Sequence, residues 1–206
     1  ATGQELPAPG PVEGDPWPEC CPPDARDAEL ALARTEPAYK GRSEVREVQA
    51  LYEDITRAAR RSLFIENQYV TSWRVGRVLA ERLEEPHGPE VVIVLPEVTE
   101  GWLEQATMDR LRNRSVAQLR DADRHDRLRI VAPVGPQGDD GRIIVHSKLM
   151  IVDCRAVFIG SSNISQRSMN LDTEANLLFF DEDAATALCG ELLAEHLGAS
   201  AEAVAG

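Results

Sequence analysis

Apolar residues recur at spacings of three and four through Val45, Val48, Leu51, Tyr52, Ile55 and Ala59, which predicts a helix with one buried face from about Ser43 to Arg61. The period then changes. In SLFIENQYV a continuous apolar run, Leu63 to Ile65, gives way to Glu66, Asn67 and Gln68, the pattern of a buried strand whose end emerges from a sheet. Val75, Val78, Leu79 and Leu83 mark one face of a second helix, broken at Pro86 and Gly88, and VVIVLP follows as a strand. A third helix is predicted from Trp102 to about Asp121, and RLRIVAPV reads as another strand. After the acidic, Gly-rich turn GPQGDDG, the segments IIVHSKLMIVD and AVFIG nearly abut and predict a hairpin. EANLLFF supplies one more strand, a helix covers about Ala184 to Leu197, and the small-residue tail ASAEAVAG reads as frayed. Strand and helix in alternation predict an α/β domain, a mixed β-sheet flanked by helices.

Ahead of this pattern, residues 1 to about 35 are rich in Pro and acidic residues, which disfavours both a helix and a stable strand. Residues 1–42 are therefore expected to form an extended arm or linker, with Trp17 packing somewhere, and 43–206 to form the domain.

Charge narrows the functional classes. Lys plus Arg number 22 against 35 Asp plus Glu, so the 206-residue chain carries a formal charge of −13, which repels nucleic-acid backbones and anionic surfaces. Nucleic acid is thus not the expected partner, and no run approaches the ~18 apolar residues of a membrane-spanning helix. The chain reads as a soluble domain. Its compartment is open, between the cytoplasmic face of a membrane and secretion. Cys20, Cys21, Cys154 and Cys189 show no metal-ligand spacing, so neither a metal nor another cofactor is expected.

One constellation carries chemistry. His146, Lys148, Asp153, Gly160, Ser161 and Asn163 stand in the order H-x-K-x4-D-x6-G-S-x-N, with Glu174 eleven residues beyond. On a strand, residues two apart share a face, so His146 and Lys148 would address one pocket while Ser147 points away. Asp153 has the opposite parity and falls at the hairpin turn, where a bracing role is expected. Gly160 would let the chain turn and return Ser161 and Asn163 beside the histidine. Glu174 is the carboxylate available to hold one nitrogen of the His146 ring. Lys148, Ser161 and Asn163 would donate to a phosphate, and Glu66, Asn67 and Gln68 would edge the pocket.

This string resembles the HKD signature of the phospholipase D superfamily. FIENQY, GWLEQATMDRLR and NISQRSMNLDTE also resemble segments of its bacterial lipid-cleaving branch. The resemblance implies a phospholipase D-like α/β/α sandwich and a catalytic set of His146, Lys148, Asp153 and Glu174. It implies hydrolysis or transphosphatidylation of phospholipids in two steps without a metal: one histidine attacks phosphorus to form a phosphohistidine, and a second protonates the departing alcohol. Only one such string is present, whereas family members use two, so the resemblance implies one half of a pseudo-twofold enzyme. The partner is then a missing N-terminal half or a second copy of the chain. Because IENQ normally lies between two motifs, His146 would be the general acid and base; in a symmetric dimer it could also be the nucleophile. A nuclease of the same superfamily and a non-catalytic phosphate- or partner-binding half are the rival readings.

Other candidates have plainer explanations. His87, His125 and His196 are expected in solvated settings, Cys154 is incidental, and of the N-x-S sequons at Asn113 and Asn163 the second is read as accidental, because a glycan there would collide with the pocket. Arg112, Arg114, Arg120 and Arg124 read as a solvated helix face.

Overall fold

The computed structural model describes residues 26–97, 102–135 and 143–200, together with 7, 8, 10, 11, 13, 14 and 17–23. Most of the Gly-rich turn at 135–141, and the end of the small-residue tail, lie outside the described residues.

A parallel unit comes first along the domain. Helix α1 (Glu47–Ala58), strand β3 (Ser62–Asn67), helix α2 (Trp73–Glu84), strand β4 (Glu90–Val94), helix α3 (Trp102–Ala122) and strand β5 (Leu128–Val131) follow in order, with β3, β4 and β5 parallel. An antiparallel unit completes it: β6 (Lys148–Val152), β7 (Ala156–Gly160), the short helix α4 (Gln166–Asn170), β8 (Glu174–Phe180) and helix α5 (Glu182–Leu197). β6 pairs antiparallel with β3 and joins the two units. With β1 (Leu30–Glu36) and β2 (Val45–Arg46), the eight strands run in the order β2-β1-β8-β7-β6-β3-β4-β5.

Parity along each strand decides what each face buries. Leu63, Ile65, Met150, Phe158 and Leu178 pack beneath α1, α2 and α3 through Val48, Tyr52, Leu79, Leu83 and Leu119. On the opposite face Phe64, Leu149, Ile151 and Val157 pack against α5 through Ala185, Leu188 and Leu192. The result is the expected mixed sheet between helical layers. α5 does not reach the far end of its face, where Leu30, Leu32, Ile159 and Leu177 are exposed.

Three local expectations need correction. Leu30–Glu36 lies within the segment read as strandless, yet it forms β1, antiparallel to β8. The prolines that disfavour a strand end at Pro23, and the edge of β8 offers unpaired backbone to the Pro-free LALARTE. Helix α1 is shorter than its apolar periodicity at both ends. Val45 and Arg46 pair with β1, and the amides of Arg60, Arg61 and Ser62 turn away to the carboxylate of Asp153. Finally, the strand read from Ile143 begins only at Lys148, because its neighbours run out: Asn67, at the end of β3, is the partner of Lys148.

Candidate active site

The ends of β3 and β7 and the beginnings of β6 and β8 meet at one edge of the sheet. Asn67 pairs with Lys148, Gly160 pairs with Asn176, and the Leu149 to Ile159 register sets Lys148 against Gly160. These residues share the face that carries Met150 and Phe158 one step further in. Gly160 is needed here for its missing side chain, not for a turn: its φ is not positive, and a Cβ would fall 2.4 Å from the Ala175 carbonyl oxygen and 2.6 Å from Cγ of Asn176. Asn176, thus drawn close, accepts from the Ser162 amide, while the Tyr52 hydroxyl donates to the Ser162 carbonyl oxygen. Asn67 accepts from the amides of Tyr69 and Ile164. Three buried polar side chains therefore hold the turn after β7, and burial raises the Tyr52 phenol pKa well above its usual value.

Lys148 is 8% exposed. Its Nζ donates to the His146 carbonyl oxygen at 2.6 Å and reaches Oε1 of Gln68 at 3.5 Å. Burial pushes its pKa below the usual lysine value, and the nearby Glu174 carboxylate opposes that shift without cancelling it. An ammonium held in this way, short of counter-charge, is suited to receive an anion.

The predicted site residues divide as follows. Lys148, Glu174 and Gln68 are brought together, and Ser161 joins them by donating its hydroxyl proton to Oε2 of Glu174. That proton is thus directed to the carboxylate. The His146 side chain is exposed just outside β6, and among the described residues no hydrogen bond joins its ring to Glu174 or to any other group. Asn163 is half-buried; its amide donates to Ser168 Oγ, and its side chain lines a groove of about 620 Å³ with Tyr69, Trp73, Arg114 and Arg167.

Asp153 lies beyond the far end of β6. Five strand residues at ~3.3 Å each set it ~17 Å from Lys148. With Cys154 it forms the hairpin turn at positive φ, and its carboxylate braces the entry to β3. Asn67 is wholly buried and structural in its contacts, and Glu66 points to the other face of the sheet, where its carboxylate accepts from Ser147 Oγ and meets His196 Nε2.

His196 overturns its expected solvated setting. It is half-buried in the last turn of α5, stacked on Phe64 and paired with Glu66. Tyr52, Asn176 and His196 are not among the residues the sequence assigns to the site. Inward parity within EANLLFF is the signal that could have singled out Asn176; nothing local marks a helix-end histidine for a strand 130 residues earlier.

A family model described as cardiolipin synthase, phospholipase D-like domain, matches residues 51–194. A phospholipase D of Phytophthora infestans is 27% identical over 206 aligned residues; the match covers 73% of this chain and 11% of that much longer protein. Among solved structures, Nuc from Salmonella typhimurium, a phospholipase D family member, superposes with a TM-score of 0.61 at 14% identity, over 84% of this chain and 95% of that one. NucT from Helicobacter pylori gives 0.60 at 17%, covering 83% and 98%. The phosphatidylserine synthase of Haemophilus influenzae gives 0.59 at 19%, covering 82% of this chain and 39% of the synthase. The structural likenesses speak for the fold, and the family match extends over more than two thirds of the sequence: the chain belongs to the phospholipase D superfamily.

Proposed function

We propose that this chain supplies one half of a phosphodiesterase centre acting on phospholipids, with His146 as the imidazole that exchanges a proton or a phosphoryl group and Lys148 as the cation that receives the phosphate. The observation that carries this reading is the buried Lys148 ammonium beside Glu174, with the His146 imidazole exposed at the same sheet edge.

In the reaction one imidazole nitrogen attacks phosphorus as the bond to the leaving oxygen breaks. A second imidazole, from another half or another copy of the chain, gives its proton to that oxygen. Water or an alcohol then attacks the phosphohistidine, breaking the phosphorus–nitrogen bond and returning a proton to the second imidazole. Lys148 offsets the charge on the nonbridging oxygens, and the Asn163 amide at the groove wall adds a neutral donor. Glu174 acts on Lys148 and Ser161, so its part is to set the field and shape of the phosphate seat.

A second reading has its own support. His146 is the only histidine at this edge among the described residues: His87 follows α2, His125 follows α3, and His196 is on the other face. One copy alone would then bind a phosphate without turning over a diester. Both readings are tested by measuring mass in solution alongside release of choline from phosphatidylcholine vesicles and of nucleotides from DNA. The phosphodiesterase reading expects lipid turnover by an assembled pair, lost at least ~10²-fold in His146→Ala. Turnover of DNA alone would replace it with a nuclease. Phosphate bound beside Lys148 in an inert monomer would replace it with a binding half.

A further inference from the structure

Ser147 separates the two residues on which the proposed chemistry rests, and it faces the other way. Residues 143–147 belong to no strand, so no ladder of backbone bonds fixes the approach to His146. Two contacts stand in for that ladder. On the site face, Lys148 Nζ holds the His146 carbonyl oxygen at 2.6 Å. On the opposite face, Ser147 Oγ donates to Glu66 Oε2 at 2.7 Å.

Glu66 is 6% exposed, and a carboxylate so placed requires partners. Its oxygens are divided: Oε2 takes the Ser147 proton, and Oε1 meets Nε2 of His196, whose ring lies over Phe64 at 6.4 Å and an interplanar angle of 27°. A carboxylate only accepts, so Ser147 and His196 Nε2 must both be donors. Among the described residues no bond joins Ser147 to His196, so the trio is not ordered as a serine–histidine–carboxylate triad. The carboxylate is the hub, and its effect falls on the position of Ser147.

We propose that Ser147, Glu66 and His196 are positioning residues that pin the His146–Lys148 segment from behind, so that the last turn of α5 sets the aim of the His146 imidazole across the sheet. This rests on the reading of His146 and Lys148 as the reacting pair. It assigns to α5 a part in turnover that its cover of Phe64, Leu149 and Val157 does not require.

The test compares Ser147→Ala, Glu66→Gln, His196→Leu and His196→Gln in the full chain with its second half or copy. Misplacing a reacting group by a fraction of an ångström should lower kcat about tenfold or more and leave KM within about threefold, because the substrate contacts survive. His196→Gln, which keeps an N–H donor, should restore most of kcat. Ser147→Ala should add less than about threefold to the loss in His196→Leu, since both break one chain of contacts. Amide hydrogen exchange over residues 146–149 should quicken in Ser147→Ala and His196→Leu and not in His196→Gln. Should a variant fail to fold, the nearly isosteric Glu66→Gln provides the same exchange measurement. Unchanged exchange and kcat in folded Ser147→Ala would overturn the inference, as would an equal loss in His196→Gln and His196→Leu. Exchange needs no substrate, so a wild-type protein inert on every phosphodiester would refute the enzymatic reading while the pinning of residues 146–149 was still decided.

Discussion

Asp153 belongs to the string by which the site was recognised, yet the fold sets it at the other end of β6. Replacing it by alanine should cost stability and spare chemistry. Its carboxylate accepts from the amides of Arg60 at 2.9 Å, Arg61 at 2.6 Å and Ser62 at 2.9 Å, and its own amide donates to the Ser62 carbonyl oxygen. A hydrogen bond to a charged acceptor contributes about 1.5–3 kcal/mol, but the amides at exposed Arg60 and Arg61 can be rehydrated, so the lost bonds amount to about 3 kcal/mol. Alanine at a φ of 55° adds about 1 kcal/mol of strain. For a domain of this size the total lowers Tm by roughly 8–16 °C. Asp153→Asn tolerates the left-handed conformation and retains one acceptor oxygen, so roughly half that loss is expected. Circular dichroism gives the midpoints, and phosphatidylcholine turnover measured well below them should stay within about threefold of wild type. A folded Asp153→Ala with an unchanged Tm would refute the bracing role, and one whose turnover falls a hundredfold would show that the carboxylate serves the reaction.

Three further outcomes follow from the site. Gly160→Ala drives a methyl group onto the Ala175 carbonyl and Asn176, and a cost of about 2–3 kcal/mol, read as a Tm fall of roughly 4–12 °C, is expected; an unshifted midpoint would mean that β7 and β8 can part freely. Lys148→Met should abolish turnover without lowering stability at pH 7. The folded-state pKa of Lys148 is depressed, so the unfolded chain binds its proton more readily, and wild-type stability should gain as pH rises from that lowered value toward 10.5. The stability difference between variant and wild type, followed by urea unfolding, should therefore shrink over that interval; a difference that is flat with pH would refute the burial cost. Tyr52→Phe leaves the Ser162 carbonyl without its hydroxyl donor and should lower Tm by about 2–4 °C, measurable by calorimetry against a wild-type control.

The local chemistry of the site was legible because parity is a property of the chain itself. Alternation along KLMIV puts Lys148, Met150 and Val152 on one face, and Ser147 does point to the other. The place where the strand begins is a different matter. It depends on where β3 ends, and a run such as IIVHSK carries no mark of a neighbour's length. For the same reason Glu174 could be assigned to the pocket but not to its partner: the closeness of Ser161 follows from the register between β7 and β8. In the sequence Gly160 reads as a residue that turns freely, whereas the demand on it comes from Asn176 across the ladder. His196 had the weakest local signal of all, since a polar residue at a helix end is ordinarily solvated.

β6 has consequences for the order in which the chain can mature. It lies between β7 and β3 in the sheet, but some 80 residues of sequence, containing β4 and β5, separate it from β3. As the chain leaves a ribosome, the parallel unit emerges first, and one side of β3 stays unsatisfied until residue 152 is out. The same strand, β6, carries the Lys148 ammonium to the end of β3. Nascent protein should therefore expose a sticky β3 margin over the roughly 80 residues that separate β3 from β6, and cover it only when β6 inserts.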